Sequence, residues 1–366
     1  MKQRRATRAA TCALALILPL AAAPAAAQDA LSPAAEYARL TERYTTAAYT
    51  TDELRALGQS ELERIGSELR AVMQEVGFDG SVEDFWNHLR TDDRFYYPDT
   101  ADGRAAYLAD AARIVAEIEA RVGELVDLPP SSSVMSLAPL QVGATPEGTA
   151  PVIAGGYNAP TEDGAPGTLR FNLADMRSAP KFQMAAIAYH EGVPGHHLQM
   201  SVARDRPAGG PPQSGSGAFF EGWAHYAERL PLELDLYRDP YANAGRLGLE
   251  AWRAARLLAD IGLAVDGWSR DRAIAFMLAN TPLSQRQATL EIDRCIARPA
   301  STSVYIIGKV AFVDLRARAE AALGEAFDVR AFHYEALRHG PVSLPELEGV
   351  VDAWIEGALS PSPQAD

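Results

Sequence analysis

Cysteine is nearly absent, with only Cys12 and Cys295 in 366 residues. Cys12 lies in an apolar stretch near the N-terminus, and its flanks, Thr11 and Ala13, do not read as a lipid-attachment site. Cleavage beyond that stretch would leave Cys295 alone, which excludes an internal disulfide and a thiolate-rich metal site. Positive charge is also scarce: 34 Lys and Arg stand against 48 Asp and Glu, a net charge of −14. An acidic surface argues against nucleic acid or anionic membrane as a partner. Long apolar runs are missing too. The run Ala13–Ala23 is too short to span a bilayer as a helix, and no other stretch is both long enough and uncharged.

That short run has the form of a signal peptide. Lys2, Arg4, Arg5 and Arg8 make a basic start, the apolar stretch follows, and Ala25-Ala26-Ala27 offers a cleavage site before Gln28. Residues 1–27 are therefore expected to be removed, leaving a periplasmic or secreted protein with no stable membrane insertion. Removal takes away four basic residues and no acidic ones, so the balance becomes 30 against 48, or −18. The remaining chain can bury a substantial core.

The pattern of the rest is predominantly helical. Thr50 with Glu53 makes a capping box, and Leu54, Leu57, Leu62, Ile65, Leu69, Val72 and Val76 follow at helical spacing up to Gly77. A second helix is expected from Arg104 to Val126. Residues 129–168 are rich in Pro, Gly, Ser and Thr and read as loops and short extended pieces, with Thr168–Leu173 alternating like a strand. Helical patterns resume near Pro180, broken at 207–217, Pro240, Gly267, Pro282, Pro299, Gly324 and Gly340-Pro341. The expectation is a mainly α protein with a small β-sheet: a helical region over 28–140, then residues 141–366, in one continuous unit.

Chemistry concentrates in one place. Of seven histidines, His190, His196 and His197 fall in the run His190-Glu191-Gly-Val-Pro194-Gly195-His196-His197. Catalytic zinc takes neutral imidazoles and a carboxylate and keeps one position for water. A histidine followed by glutamate, with a second histidine one turn on, supplies two ligands and a general base. Here position 194 is proline. In an unbroken helix His196 would sit about 240° from His190, and His197 would lie about 10 Å along the axis, so neither ring could share an ion with His190. Pro194 and Gly195 cannot continue such a helix quietly. A broken turn that absorbs two residues would return His196 to the ligand position. His190 and His196 are thus the expected metal ligands, with His197 behind them or touching substrate. The third ligand should be a carboxylate on a nearby helix, and Glu221 in Glu221-Gly-Trp-Ala-His225-Tyr-Ala-Glu228 fits. Glu221, His225 and Glu228 share one helical face, and Glu228 reads equally well as a solvated acid.

These segments, together with Ser303-Val-Tyr305-Ile-Ile-Gly308-Lys309, Phe332-His333, Gly340-Pro-Val and Leu344-Pro-Glu-Leu, resemble in this order the family known as domain of unknown function 885. The resemblance runs from about Tyr49 to Gly357 and implies an exported zincin-like metallopeptidase. The chain departs from the family's pattern at Ala300-Ser301, where glutamine is usual.

On that reading Zn2+ is the cofactor, a peptide is the substrate and Glu191 is the general base. Tyr305 is the candidate oxyanion donor, with Gly308 leaving room beside it; the resemblance points to the same tyrosine. The edge of the strand at 169–173 could pair with an extended peptide, with Tyr157 and Asn172 facing the cleft. Arg294, beside Glu291, could bind a substrate carboxylate or only balance its neighbour. His88, His333 and His339 read as structural. Two other readings stay open: a relative that binds metal or peptide without catalysis, and a zinc hydrolase of other amides or esters.

Overall fold

The computed structural model describes residues 31–128, 140–146, 155–160, 165–211 and 215–360. The expected signal peptide, with Cys12, lies outside them. Thirteen α-helices are present among the described residues. The first four are α1 (Pro33–Thr45), α2 (Thr51–Glu75), α3 (Val82–Thr91) and α4 (Ala101–Glu119). Three strands follow: β1 (Gln141–Ala144), β2 (Gly155–Asn158) and β3 (Thr168–Phe171). The remaining helices are α5 (Lys181–Glu191), α6 (His196–Val202), α7 (Gly217–Ala227), α8 (Pro240–Ala264), α9 (Arg270–Asn280), α10 (Gln285–Ala297), α11 (Val304–Leu323), α12 (Val329–Arg338) and α13 (Leu344–Leu359).

Local signals explain most of the boundaries. Both arms of the Thr50–Glu53 capping box form, α2 buries Leu54, Ile65, Leu69 and Val72, and the chain leaves it through Gly77 at φ 66°. Pro240 occupies the first turn of α8, where its missing N–H costs nothing. The helix expected over 104–126 stops at Glu119 instead. A short 3₁₀ turn over Val122–Glu124 follows, and Arg121 pairs with Glu124 while donating to Leu234 O at 2.7 Å. The apolar side chains Leu125 and Val126 are buried, but from this irregular segment.

α8 is the axis of the molecule, and nearly every residue from Ala244 to Gly262 is buried. α5 packs on it where a Cβ at Gly245 would come within 1.7 Å of Phe182 O. α2 covers another side, with Gly58 against Leu258. A helix buried all round must pair its charges, and α8 does. Arg246 binds Glu250, and Glu250 also receives Arg64, Arg229 and Lys309 from α2, the end of α7 and α11. α7 and α11 cross at two glycines: a Cβ on Gly222 would lie 2.3 Å from Gly308 Cα, and one on Gly308 would lie 2.0 Å from Ala218 O. Only glycine permits that backbone approach.

The sheet has the order β1-β3-β2, with β1 parallel and β2 antiparallel to β3. Leu169 and Phe171 of β3 point inward and are buried. β3 is the central strand, bonded on both sides, so the expectation that its edge is open to a substrate does not hold. The outer strand β2 lies on α5, where a Cβ at Gly155 would come 2.7 Å from Ile187 and 3.6 Å from Glu191 Cγ.

Candidate functional site

The chain break after α5 builds the site. Gly192 N still bonds Ala188 O at 2.9 Å, Gly195 N reaches back to Tyr189 O at 2.9 Å, and His197 N bonds Gly192 O at 3.0 Å. Val193-Pro194 is a cis peptide within this turn. Gly195 runs so close under α5 that a Cβ would fall 1.9 Å from His190 O. Trp223 of α7 donates its indole N–H to Pro194 O at 2.9 Å and fastens the turn from below. The result is the displacement that the Pro-Gly pair implied: α6 begins at His196, with its ring 4.9 Å from that of His190 and at 83° to it.

His190, His196 and Glu221 converge, and one ligand atom from each lies within 4.8 Å of the others. Glu221 Oε2 stands 3.5 Å from His190 Nε2 and 3.6 Å from His196 Nε2. Two donors bound to one ion at about 2.1 Å with tetrahedral angles stand about 3.4 Å apart, so these spacings suit a small divalent cation. The far side of each ring is engaged as well. His190 Nδ1 lies 2.7 Å from Glu228 Oε1, and His196 Nδ1 lies 3.2 Å from Gln199 Oε1, whose amide donates to Phe219 O at 3.1 Å. With both Nδ1 atoms engaged on the far side, the Nε2 atoms are the ones turned toward Glu221. Two imidazoles and one carboxylate could together hold a divalent metal ion.

A family model described as bacterial protein of unknown function (DUF885) matches residues 2–351. The chain belongs to that family. A solved structure described as a candidate lipoprotein from Colwellia psychrerythraea is 30% identical, with a TM-score of 0.79 over 88% of this chain and 55% of that one. A second, described as a candidate lipoprotein of unknown function from Shewanella oneidensis, is 19% identical, with a TM-score of 0.70 over 88% of this chain and 61% of that one. The chain thus spans little more than half the length of either. No curated protein matches it. Among the described residues no helix is long and apolar enough to cross a membrane.

The other expected residues of this DUF885 chain are placed unevenly. Glu191 and Tyr305 line a cavity of about 120 Å³ together with His190, Arg253, Arg256 and Arg294. Burial, followed by the negative charge of Glu221, pushes the Tyr305 phenol well above its ordinary range, so it keeps its proton. Arg294 is exposed and donates to Glu291 Oε1 at 3.0 Å. Tyr157 sits on β2, but its hydroxyl meets His197 Nδ1 at 2.9 Å. His197 itself is 0% exposed, which excludes direct substrate contact and leaves it holding β2 to α6. Its imidazole is pushed down to about 4 by burial and then by Arg204, so it is neutral. Asn172 lies beyond the end of β3, where Oδ1 accepts from Ala174 N at 3.3 Å, and it lines neither of the cavities beside the metal cluster. His225 turns away from the cluster toward α11, with Nδ1 3.3 Å from Tyr305 O.

Glu228 is not a solvated acid: it is 0% exposed and bound to both His190 and Arg253. The arginines of α8 carry no expected role from the sequence. Arg253 grips Glu228 through both guanidinium nitrogens at 2.7 and 3.1 Å. Arg253 and Arg256 lie over the Tyr305 ring at 5.3 and 4.7 Å from its centroid. The legible signal was Arg246, Glu250, Arg253, Arg256 and Asp260 recurring at helical spacing within an otherwise apolar helix.

Proposed function

We propose that the protein is an exported zinc-dependent hydrolase of zincin type, cleaving peptide bonds outside the cytoplasm. The observation that carries the reading is the convergence of His190 Nε2, His196 Nε2 and Glu221 Oε2 beside a cavity lined by Glu191 and Tyr305. A pure binding site has no use for a carboxylate immediately after the first ligand, and Glu191 favours catalysis over storage. The basic and apolar leader pattern of residues 1–27 supports export to the periplasm or beyond.

Held by those three residues, a zinc ion would supply an acidified water and a polarised carbonyl. Glu191 then takes the proton of the attacking water and returns it to the leaving amine. Tyr305, kept protonated, donates to the developing oxyanion without adding a full charge. Arg253 and Glu228 fix the ring of His190 from behind. β2, the outer strand that lies on α5 beside Glu191, replaces β3 as the edge along which an extended peptide would lie.

The test is metal content and peptide hydrolysis measured together on the full chain and on Glu191→Gln. Both proteins should hold about one zinc, and the variant should lose about 10²–10⁴-fold in turnover. Zinc in neither protein sinks the proposal. Zinc in both without cleavage of any peptide in a broad mixture favours a hydrolase of other amides or esters, or a binding protein.

A further inference from the structure

Beyond the metal cluster lies a second, larger cavity of about 630 Å³, lined by Arg43, Arg256, Arg294, Arg298, Glu221 and Tyr305. It shares Arg256, Arg294 and Tyr305 with the small cavity that holds Glu191, so the two adjoin. In a chain with a net charge of −14, four guanidinium groups around one hollow are a local reversal of sign.

Their own partners do not neutralise them. Arg256 and Arg294 share a single carboxylate, that of Glu291. Arg43 and Arg298 form no ion pair among the described residues. Glu221 is turned to the two histidines. Arg256 is only 4% exposed and lines both cavities, so its charge stands at their common wall. Two helices also begin there. Ser216 and Gly217 open α7, Val304 and Tyr305 open α11, and all four line the cavity with the positive ends of their helices.

We infer that this cavity seats a carboxylate of the substrate, on the side of the scissile bond next to Glu221 and Tyr305. The inference rests on the hydrolase reading for its substrate and names the class: peptides carrying negative charge close to the cleaved bond. The carboxylate is either the free C-terminus or the side chain of an aspartate or glutamate. Arg298 and Arg43 stand at the exposed rim as the recruiting charges, and Arg256 is the buried charge at the wall.

The experiment is equilibrium binding by calorimetry to the full chain carrying Glu191→Gln, both zinc-loaded and chelator-treated. Tri-alanine is compared with its C-terminal amide, and Ala-Glu-Ala-amide with Ala-Gln-Ala-amide. In the zinc-free protein the acid of one pair should bind at least tenfold more tightly than its neutral counterpart. The pair that shows the difference tells the C-terminus from the side chain. Arg298→Gln combined with Arg43→Gln should cut the difference to about threefold or less, Arg256 and Arg294 holding the remainder. Equal binding of acid and neutral peptides, or a preference undiminished by the two substitutions together, overturns the inference even if hydrolysis is observed. Charge-selective binding in a protein that neither holds zinc nor cleaves peptides would sustain the cavity and sink the hydrolase.

Discussion

His190 Nδ1 and Glu228 Oε1 lie 2.7 Å apart in the interior, and Arg253 Nη2 holds the same oxygen at 2.7 Å. The pair ties His190, in the last turn of α5, to the residue that caps α7. A carboxylate behind a ligating imidazole fixes its tautomer and raises its basicity. Replacing Glu228 by Gln keeps the volume but removes the charge, and should weaken zinc affinity by about 10–100-fold. Competition with a calibrated chelator measures this, and an unchanged affinity would reduce Glu228 to a structural partner of Arg253.

Tyr305 can act only through its hydroxyl, because its ring is already engaged by Arg253 and Arg256. Tyr305→Phe keeps the ring and those contacts. The variant should retain zinc and substrate affinity while its turnover falls about 10²–10³-fold, the size expected for one lost oxyanion donor. A rise in KM with turnover intact would move Tyr305 from catalysis to substrate binding.

The turn between the two histidines has no spare room. A methyl group at Gly195 would meet His190 O at 1.9 Å and Tyr189 O at 2.4 Å, both backbone atoms of α5 that cannot shift singly. Gly195→Ala should therefore part His196 from His190 and reduce zinc affinity by about 100-fold or more, beyond the loss of a supporting hydrogen bond. Gly349→Ala, where a Cβ meets nothing within 4 Å, is the matched control and should leave metal binding alone. Far-ultraviolet circular dichroism separates loss of the site from loss of the fold.

Much of this was legible in the chain, for identifiable reasons. Elements written locally were readable: the Thr50–Glu53 capping box, the Pro240 start of α8, and the impossibility of carrying a helix through Pro194-Gly195. The convergence of His190, His196 and Glu221 was expected from metal chemistry that allows few residue types. What escaped depends on contacts distant in sequence. The central place of β3 is decided by β1 and β2 pairing on either side of it. The burial of His197 is decided by Tyr157 arriving from 40 positions away. The roles of Arg253 and Arg256 depend on where α8 threads the core, and periodicity shows only that their face is buried.

Asp260 offers a test of the fold that does not involve metal. It is 0% exposed, and Oδ2 accepts from Tyr37 OH at 3.0 Å, Ala300 N at 2.8 Å and Thr302 Oγ1 at 3.3 Å, while Oδ1 has no partner. Burial outweighs these donors and nearby Arg256 and pushes the carboxyl up to about 7. The buried Cys295 thiol beside it is itself pushed up and stays neutral. An unfolded aspartate titrates near 3.9, so between about pH 4 and pH 7 the folded chain holds a proton that the unfolded chain has lost. The sign follows: stability from this group is full below about pH 4 and falls as pH rises to about 7, by on the order of 4 kcal/mol. Asp260→Asn keeps an acceptor for the three donors and cannot ionise, though its buried amide costs about 1–3 kcal/mol at every pH. Denaturant unfolding of both proteins from pH 4 to pH 8 should therefore show the variant gaining on the native chain as pH rises. Parallel curves would mean that Asp260 is ionised in the folded protein throughout.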